Sequence, residues 1–275
     1  MSASDADAAS FLTKLGQAYP EFRIVGPLLL RRAPALLAFE AIAHELAQAT
    51  FHLPEPSVAA SKLQWWRDEI ERHMAGEARH PLTRSLDVVP AARFDPTLFD
   101  ALIDMAMQGR DAAPARDFDA QRRAVAPVFT AIEQLRVAVL GTAGAAVGIQ
   151  ADIAVATHLL RELARLPFAE DVPASVVPMQ LLARHQSNRS ELATPGSTRD
   201  AIVRAQAADI GAWLTELGPA VTGAAAWLAR VRWRCECWRA RPLGGADPFA
   251  VLWPRLERAP WNTAWTAWRA QRRAP

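Results

Sequence analysis

The chain has 275 residues and a mass of 30.1 kDa; with 51% hydrophobic residues, 22% charged residues and only two cysteines, it is neither an intrinsically disordered chain nor a disulfide-stapled mini-protein. Its 31 Lys+Arg against 29 Asp+Glu leave a formal net charge of +2, far below the basic footprint of non-specific nucleic-acid binding, so no nucleic-acid partner is expected. Lys14 and Lys62 are the only lysines, so nearly all the positive charge is guanidinium.

The first ten residues carry Asp5 and Asp7 and no apolar run, which reads as neither a signal nor a transit peptide and predicts a cytoplasmic chain. Downstream, no stretch alternates β-branched and polar residues between hairpin turns. Apolar residues recur instead at three- and four-residue spacing between prolines, which predicts helix throughout. A helix is expected over Ser57 to Met74, capped by Ser57 and ended by Gly76, with Val58, Leu63, Trp66, Ile70 and Met74 inward. Others are expected over Asp95 to Met107 and over Asp117 to Val139, where Pro127 should kink or split the helix.

From Val137 to Ala151 the chain is uncharged but too short to span a bilayer. Within it, Gly141, Gly144 and Gly148 with Ala143, Ala145 and Ala146 predict a buried helix, part of Gly141 to Arg165, with a small-residue face. A polar loop at Ser187 to Thr198 precedes helices over Thr198 to Leu217, Pro219 to Arg241 and Pro260 to Arg272. Cys235 and Cys237, two residues apart on a helix, diverge by about 200° and suit neither zinc nor a disulfide. With no repeat and no low-complexity linker, the expectation is one all-α domain over 1–275.

Three stretches read together carry a resemblance. Arg31 to Thr50 contains Phe39-Glu40-Ala41-Ile42-Ala43-His44-Glu45-Leu46 and is followed by Lys62-Leu63-Gln64-Trp65-Trp66-Arg67-Asp68-Glu69-Ile70, then Gly76 and His80-Pro81-Leu82. Leu159 to Phe168 reads Leu-Leu-Arg-Glu-Leu-Ala-Arg-Leu-Pro-Phe, and Val176-Val177-Pro178-Met179-Gln180-Leu181-Leu182 comes next, with His185 just beyond. In order and spacing these stretches, spanning roughly residues 20 to 190, resemble the squalene/phytoene synthase family. That resemblance implies an isoprenoid-synthase-type helical fold around a central apolar cavity. It also implies two facing aspartate-rich helices whose carboxylates hold Mg²⁺ on a prenyl diphosphate, and head-to-head joining of two prenyl chains in a dry cavity.

Carried over residue by residue, the first motif's acidic positions fall at His44, Glu45 and Gln48, and only Glu45 is a carboxylate. The second motif becomes Arg161-Glu162, with Leu166 at its later aspartate position and Val155 and His158 at the polar positions before it. One carboxylate per helix is a poor donor set for a hard cation. The chain thus looks more like the aspartate-depleted, non-catalytic members of the family, such as the complex I assembly factor and its bacterial relatives. The expectation is a protein without Mg²⁺-dependent prenyl transfer that binds an isoprenoid or lipid, or a protein partner, with no cofactor. The alternative is an active prenyltransferase on farnesyl or geranylgeranyl diphosphate with a reduced Mg²⁺ site at Glu45 and Glu162. Gln64, Trp66, Arg67 and Arg165 are the candidate cavity residues, Trp66 being equally readable as core.

Eight of the ten tryptophans lie in the last third: Trp213, Trp227, Trp233, Trp238, Trp253, Trp261, Trp265 and Trp268. Interspersed with arginine they read as a peripheral contact at the inner membrane surface. Trp261, Trp265 and Trp268, spaced i, i+4 and i+7, read equally as a stripe packed into the core.

Overall fold

Prolines open several helices of this chain, because their fixed φ suits the first helical position and their missing N–H has no partner there in any case. A computed structural model describes residues 3–86, 95–108, 113–141, 146–169, 173, 175–224 and 227–272. The described residues form thirteen α-helices, a few 3-10 turns and no strand, the all-α class expected. The helices are α1 (Ala3–Ala18), α2 (Glu21–Arg32), α3 (Pro34–His52), α4 (Pro56–Met74), α5 (Pro81–Arg84), α6 (Asp100–Gln108), α7 (Phe118–Leu140), α8 (Val147–Arg165), α9 (Met179–Arg184), α10 (Ser197–Ala224), α11 (Trp227–Arg239), α12 (Phe249–Leu256) and α13 (Thr263–Arg272). Among the described residues no helix is long and apolar enough to cross a membrane.

The chain forms two compact units, Met1–Gly109 with Pro127–Gly148, and Arg110–Ala126 with Ile149–Pro275. In the first, α3 packs against α1, α2, α4, α5 and α6, and α4 also packs on α6. Phe39, Ile42 and Leu46 of α3, Leu63, Trp66 and Ile70 of α4, and Leu102 of α6 are buried here. In the second unit α11 packs on α10, α12 and α13. One apolar cluster there joins Leu163 and Leu166 to Val176, Val177, Leu181, Ile202, Val203 and Leu252.

Several expected boundaries shift for local reasons. At the start of α4 the cap is Glu55 with Pro56 in the first turn, and the Ser57 hydroxyl hydrogen-bonds the Glu55 carboxylate at 3.3 Å instead of capping. Val58 is 55% exposed, since it sits about 80° around the helix from Trp66; Ala59 and His73 complete the buried face. Gly76 does end α4: at φ +78° its N–H bonds the His73 carbonyl at 2.9 Å while the Glu77 N–H reaches the Arg72 carbonyl at 2.7 Å, a Schellman closure.

Pro127 does not split α7, and Pro219 lies inside α10 instead of opening a new helix. Around Pro219 the Thr215 hydroxyl bonds the Gly211 carbonyl and the Thr222 hydroxyl bonds those of Gly218 and Pro219, while Val221 is fully buried. The helix runs on through a proline that local preference would place at a break, with Val221 packed against Ile153 and Ala229 just beyond it.

Of the expected small-residue face, Ala143, Gly144 and Ala145 lie outside the described residues, and a Cβ on Gly148 would meet nothing within 4 Å. The close approach occurs on α10 instead. A Cβ on Gly218 would come within 3.2 Å of the Trp233 ring, and one on Gly211 within 3.1 Å of the Ala240 carbonyl. The Trp233 indole N–H then donates to the Leu214 carbonyl at 2.7 Å. Two arginines hold the segment after α11: Arg204 donates to the carbonyls of Leu243, Gly245 and Ala246, and Arg255 to those of Arg241 and Pro242.

Candidate functional site

In the first unit α3 carries His44, Glu45 and Gln48, all half-buried. His44 stands edge-on to Tyr19, ring centroids 5.4 Å apart. Glu45 accepts a hydrogen bond from Lys62 of α4 at 2.8 Å, an ion pair between neighbouring helices. The resemblance did not single out Lys62; its rarity, as one of two lysines in an arginine-rich chain, was the only signal.

On α4 the four residues from Gln64 onward diverge. Gln64 donates to Asp68 at 2.8 Å, one turn on. Both border an open cleft of about 450 Å³, together with Ala60, Ser61, Trp65 and Ile103. Trp65 is partly exposed on that cleft, whereas Trp66 is buried among Leu63 and Ile70, and both rings meet His80 edge-on. The indole N–H of Trp66 and the Nε of Arg67 are buried without a hydrogen-bond partner among the described residues.

Below them Glu69, which sequence reasoning left unremarked, is a carboxylate bonded by four donors. It accepts from the backbone N–H groups of Arg79 and His80 at 2.8 and 2.7 Å, the Thr83 hydroxyl at 2.5 Å and Arg72 at 3.0 Å. Burial alone would push this carboxyl up, but the bonds from His80, Thr83, Arg79 and Arg72 outweigh it and hold the pKa at about 2, below the usual 4.5. Glu69 thereby ties the end of α4 to the start of α5.

The second unit holds the other motif on α8. Arg161 and Glu162 are half-buried, and Arg165, exposed, donates to Glu162 at 3.2 Å. Burial raises the Glu162 carboxyl above its usual range, against the opposing charge of Arg165. His158 and Glu162, one turn apart, bring an imidazole nitrogen and a carboxylate oxygen within 4.8 Å of each other. Leu166 is buried in the cluster with Leu163 and Val176, where a carboxylate would lack both solvent and partner. Asp152, nearly three turns before Glu162, is also raised by burial, with Arg122 opposing.

These donors fit Mg²⁺ poorly. Mg²⁺ demands near-octahedral oxygen ligation, and each unit offers one motif carboxylate that a Lys or Arg ammonium or guanidinium group already engages. The remaining motif positions present two imidazoles, an amide, a guanidinium, a valine and a core leucine.

No protein-family model and no curated protein matches the sequence. Among solved structures, squalene synthase HpnC from Alicyclobacillus acidocaldarius superposes with a TM-score of 0.62 over 93% of this chain and 96% of that one, at 12% identity. At that identity the likeness is one of architecture: the chain has the all-α fold of a squalene synthase.

Proposed function

We propose that this chain is a squalene/phytoene synthase-like protein that binds an isoprenoid or related lipid, or a protein partner, and does not carry out Mg²⁺-dependent prenyl transfer. The observation that carries this reading is the state of the two surviving motif carboxylates: Glu45 is bound by Lys62 and Glu162 by Arg165. Recruiting either to a cation would first release that pairing, and Leu166 removes a third ligand outright. Ionising an allylic diphosphate requires its negative charge to be neutralised as it leaves, and an engaged carboxylate with an aliphatic neighbour offers no metal for that task. Help in assembling a membrane complex is the form of partner binding that the family resemblance adds.

The test is calorimetry of farnesyl diphosphate binding with and without Mg²⁺, alongside an assay of released diphosphate. The expected outcome is binding, or its absence, that Mg²⁺ alters less than about twofold, no diphosphate release, and the same result for Glu45→Gln and Glu162→Gln. Mg²⁺-dependent binding with turnover, lost in both variants, would establish the active prenyltransferase instead.

A further inference from the structure

Of the C-terminal tryptophans, Trp213 is buried and Trp233 and Trp253 pack on apolar clusters, whereas the stripe Trp261, Trp265 and Trp268 does not face the core. On α13, Thr263 and Ala267 are buried: the helix packs on α11, where Cys235 lies 3.9 Å from the Thr263 hydroxyl. Trp265 and Trp268 fall on the opposite side and are 58% and 42% exposed, and Trp261, just before the helix, is 94% exposed. The two helix indoles stack, with centroids 4.7 Å apart and planes 26° from parallel, so they form a preformed apolar plate facing outward. Arg269 shares that side and is exposed, as is Arg258. From residue 257 onward the sequence has four arginines, Arg258, Arg269, Arg272 and Arg273, against one acidic residue, Glu257, and α13 itself has none.

We propose that the outward face of α13 is a docking surface for an anionic lipid bilayer. Indoles are the side chains best suited to the headgroup layer, because the ring is apolar and its N–H still finds water or phosphate there. The Arg269 guanidinium on the same side can meet a lipid phosphate in bidentate fashion. The charge pattern distinguishes this occupant from a second copy of the chain. A two-fold contact through the same face would set the Arg269 guanidiniums of both copies against each other with no acidic residue on α13 between them, whereas an anionic surface neutralises them. The one-sided distribution matches the in-plane posture of an interfacial helix, with its packed face held by α11.

The test is flotation of the full chain with phosphatidylcholine vesicles containing 30% phosphatidylglycerol, and with pure phosphatidylcholine vesicles, in 0.1 M and 0.5 M NaCl. The expected result is partitioning onto the anionic vesicles that falls at least about tenfold in Trp265→Ala/Trp268→Ala and about fivefold in Arg269→Gln. High salt or loss of the anionic lipid should weaken it severalfold. Circular dichroism and the melting temperature of these variants should match the parent, as the substituted side chains are exposed. Failure of the full chain to float, equal flotation of the double-tryptophan variant, or a concentration-dependent dimer abolished by that variant would each overturn the proposal. The vesicles contain no isoprenoid, so the result stands apart from that of the diphosphate-binding experiment.

Discussion

Glu69 is fully buried and yet stays ionised, because four donors converge on its carboxylate. A carboxyl held at about 2 in the folded protein and near 4.5 when unfolded contributes its stability fully above pH 4.5 and loses it as the pH falls through 2. Glu69→Gln should therefore lower the unfolding free energy at pH 7 by about 3 kcal/mol and flatten its dependence between pH 4.5 and pH 2. Urea melts across that range check this, and an unchanged slope would show that Glu69 does not carry the acid sensitivity. Nothing in the sequence marked this residue. It stands in the same Trp-Trp-Arg-Asp-Glu-Ile run as the candidate cavity residues, but three of its four donors lie ten or more positions on, and only the chain's return at Arg79 and His80 brings their N–H groups to it.

Between helices, a buried polar tie of the first unit joins α3 to the part of α7 after Pro127. Arg136 donates to Glu133, 2.7 Å away one turn back, and to Glu40 of α3, and all three are buried. Burial opposes the charge of Arg136, and the two carboxylates outweigh it and raise its pKa beyond its already high value. Arg136→Met should thus cost about 3 to 5 kcal/mol by leaving two carboxylates buried without their cation, and adding Glu40→Gln should recover part of the loss. Thermal melts of the single and double variants decide this; additive losses would show that the groups are not coupled. Legibility at this scale followed hydrophobic spacing. The stripe of α4 was readable because Leu63, Trp66 and Ile70 recur every three or four residues. Proline misled where packing overrides local preference, as at Pro219, and a tryptophan spacing of i, i+4 looked the same whether the stripe faced the core or the solvent.

For the chain as a whole, the all-α class was written in composition and periodicity, and the particular architecture in three short motifs with no significant overall sequence likeness to a curated protein. Class survives divergence because many residues encode it redundantly, whereas a site depends on a few atoms and on which cation happens to face them. The resemblance placed Glu45 and Glu162 on helices, and an arginine partner for Glu162 could be read from Arg161 and Arg165 beside it; nothing pointed to Lys62 as the partner of Glu45.

The carbonyl-capping arginines have a chemical corollary. Arg204 and Arg255 between them terminate five backbone carbonyls after α11, work that a planar guanidinium with five N–H donors performs and an ammonium does not. The protein's only lysines are Lys14 and Lys62, and the partly exposed Lys62 pair contributes at most about 1 kcal/mol. Exhaustive acylation with acetic anhydride should therefore leave the circular dichroism and melting temperature nearly unchanged, while a dicarbonyl reagent such as phenylglyoxal should unfold the chain once these guanidiniums react. A protein that unravels under the amine reagent instead would place its structural cations in the wrong side chains. In reagent terms, the molecule is close to inert at nitrogen nucleophiles of the lysine type and vulnerable at its arginines.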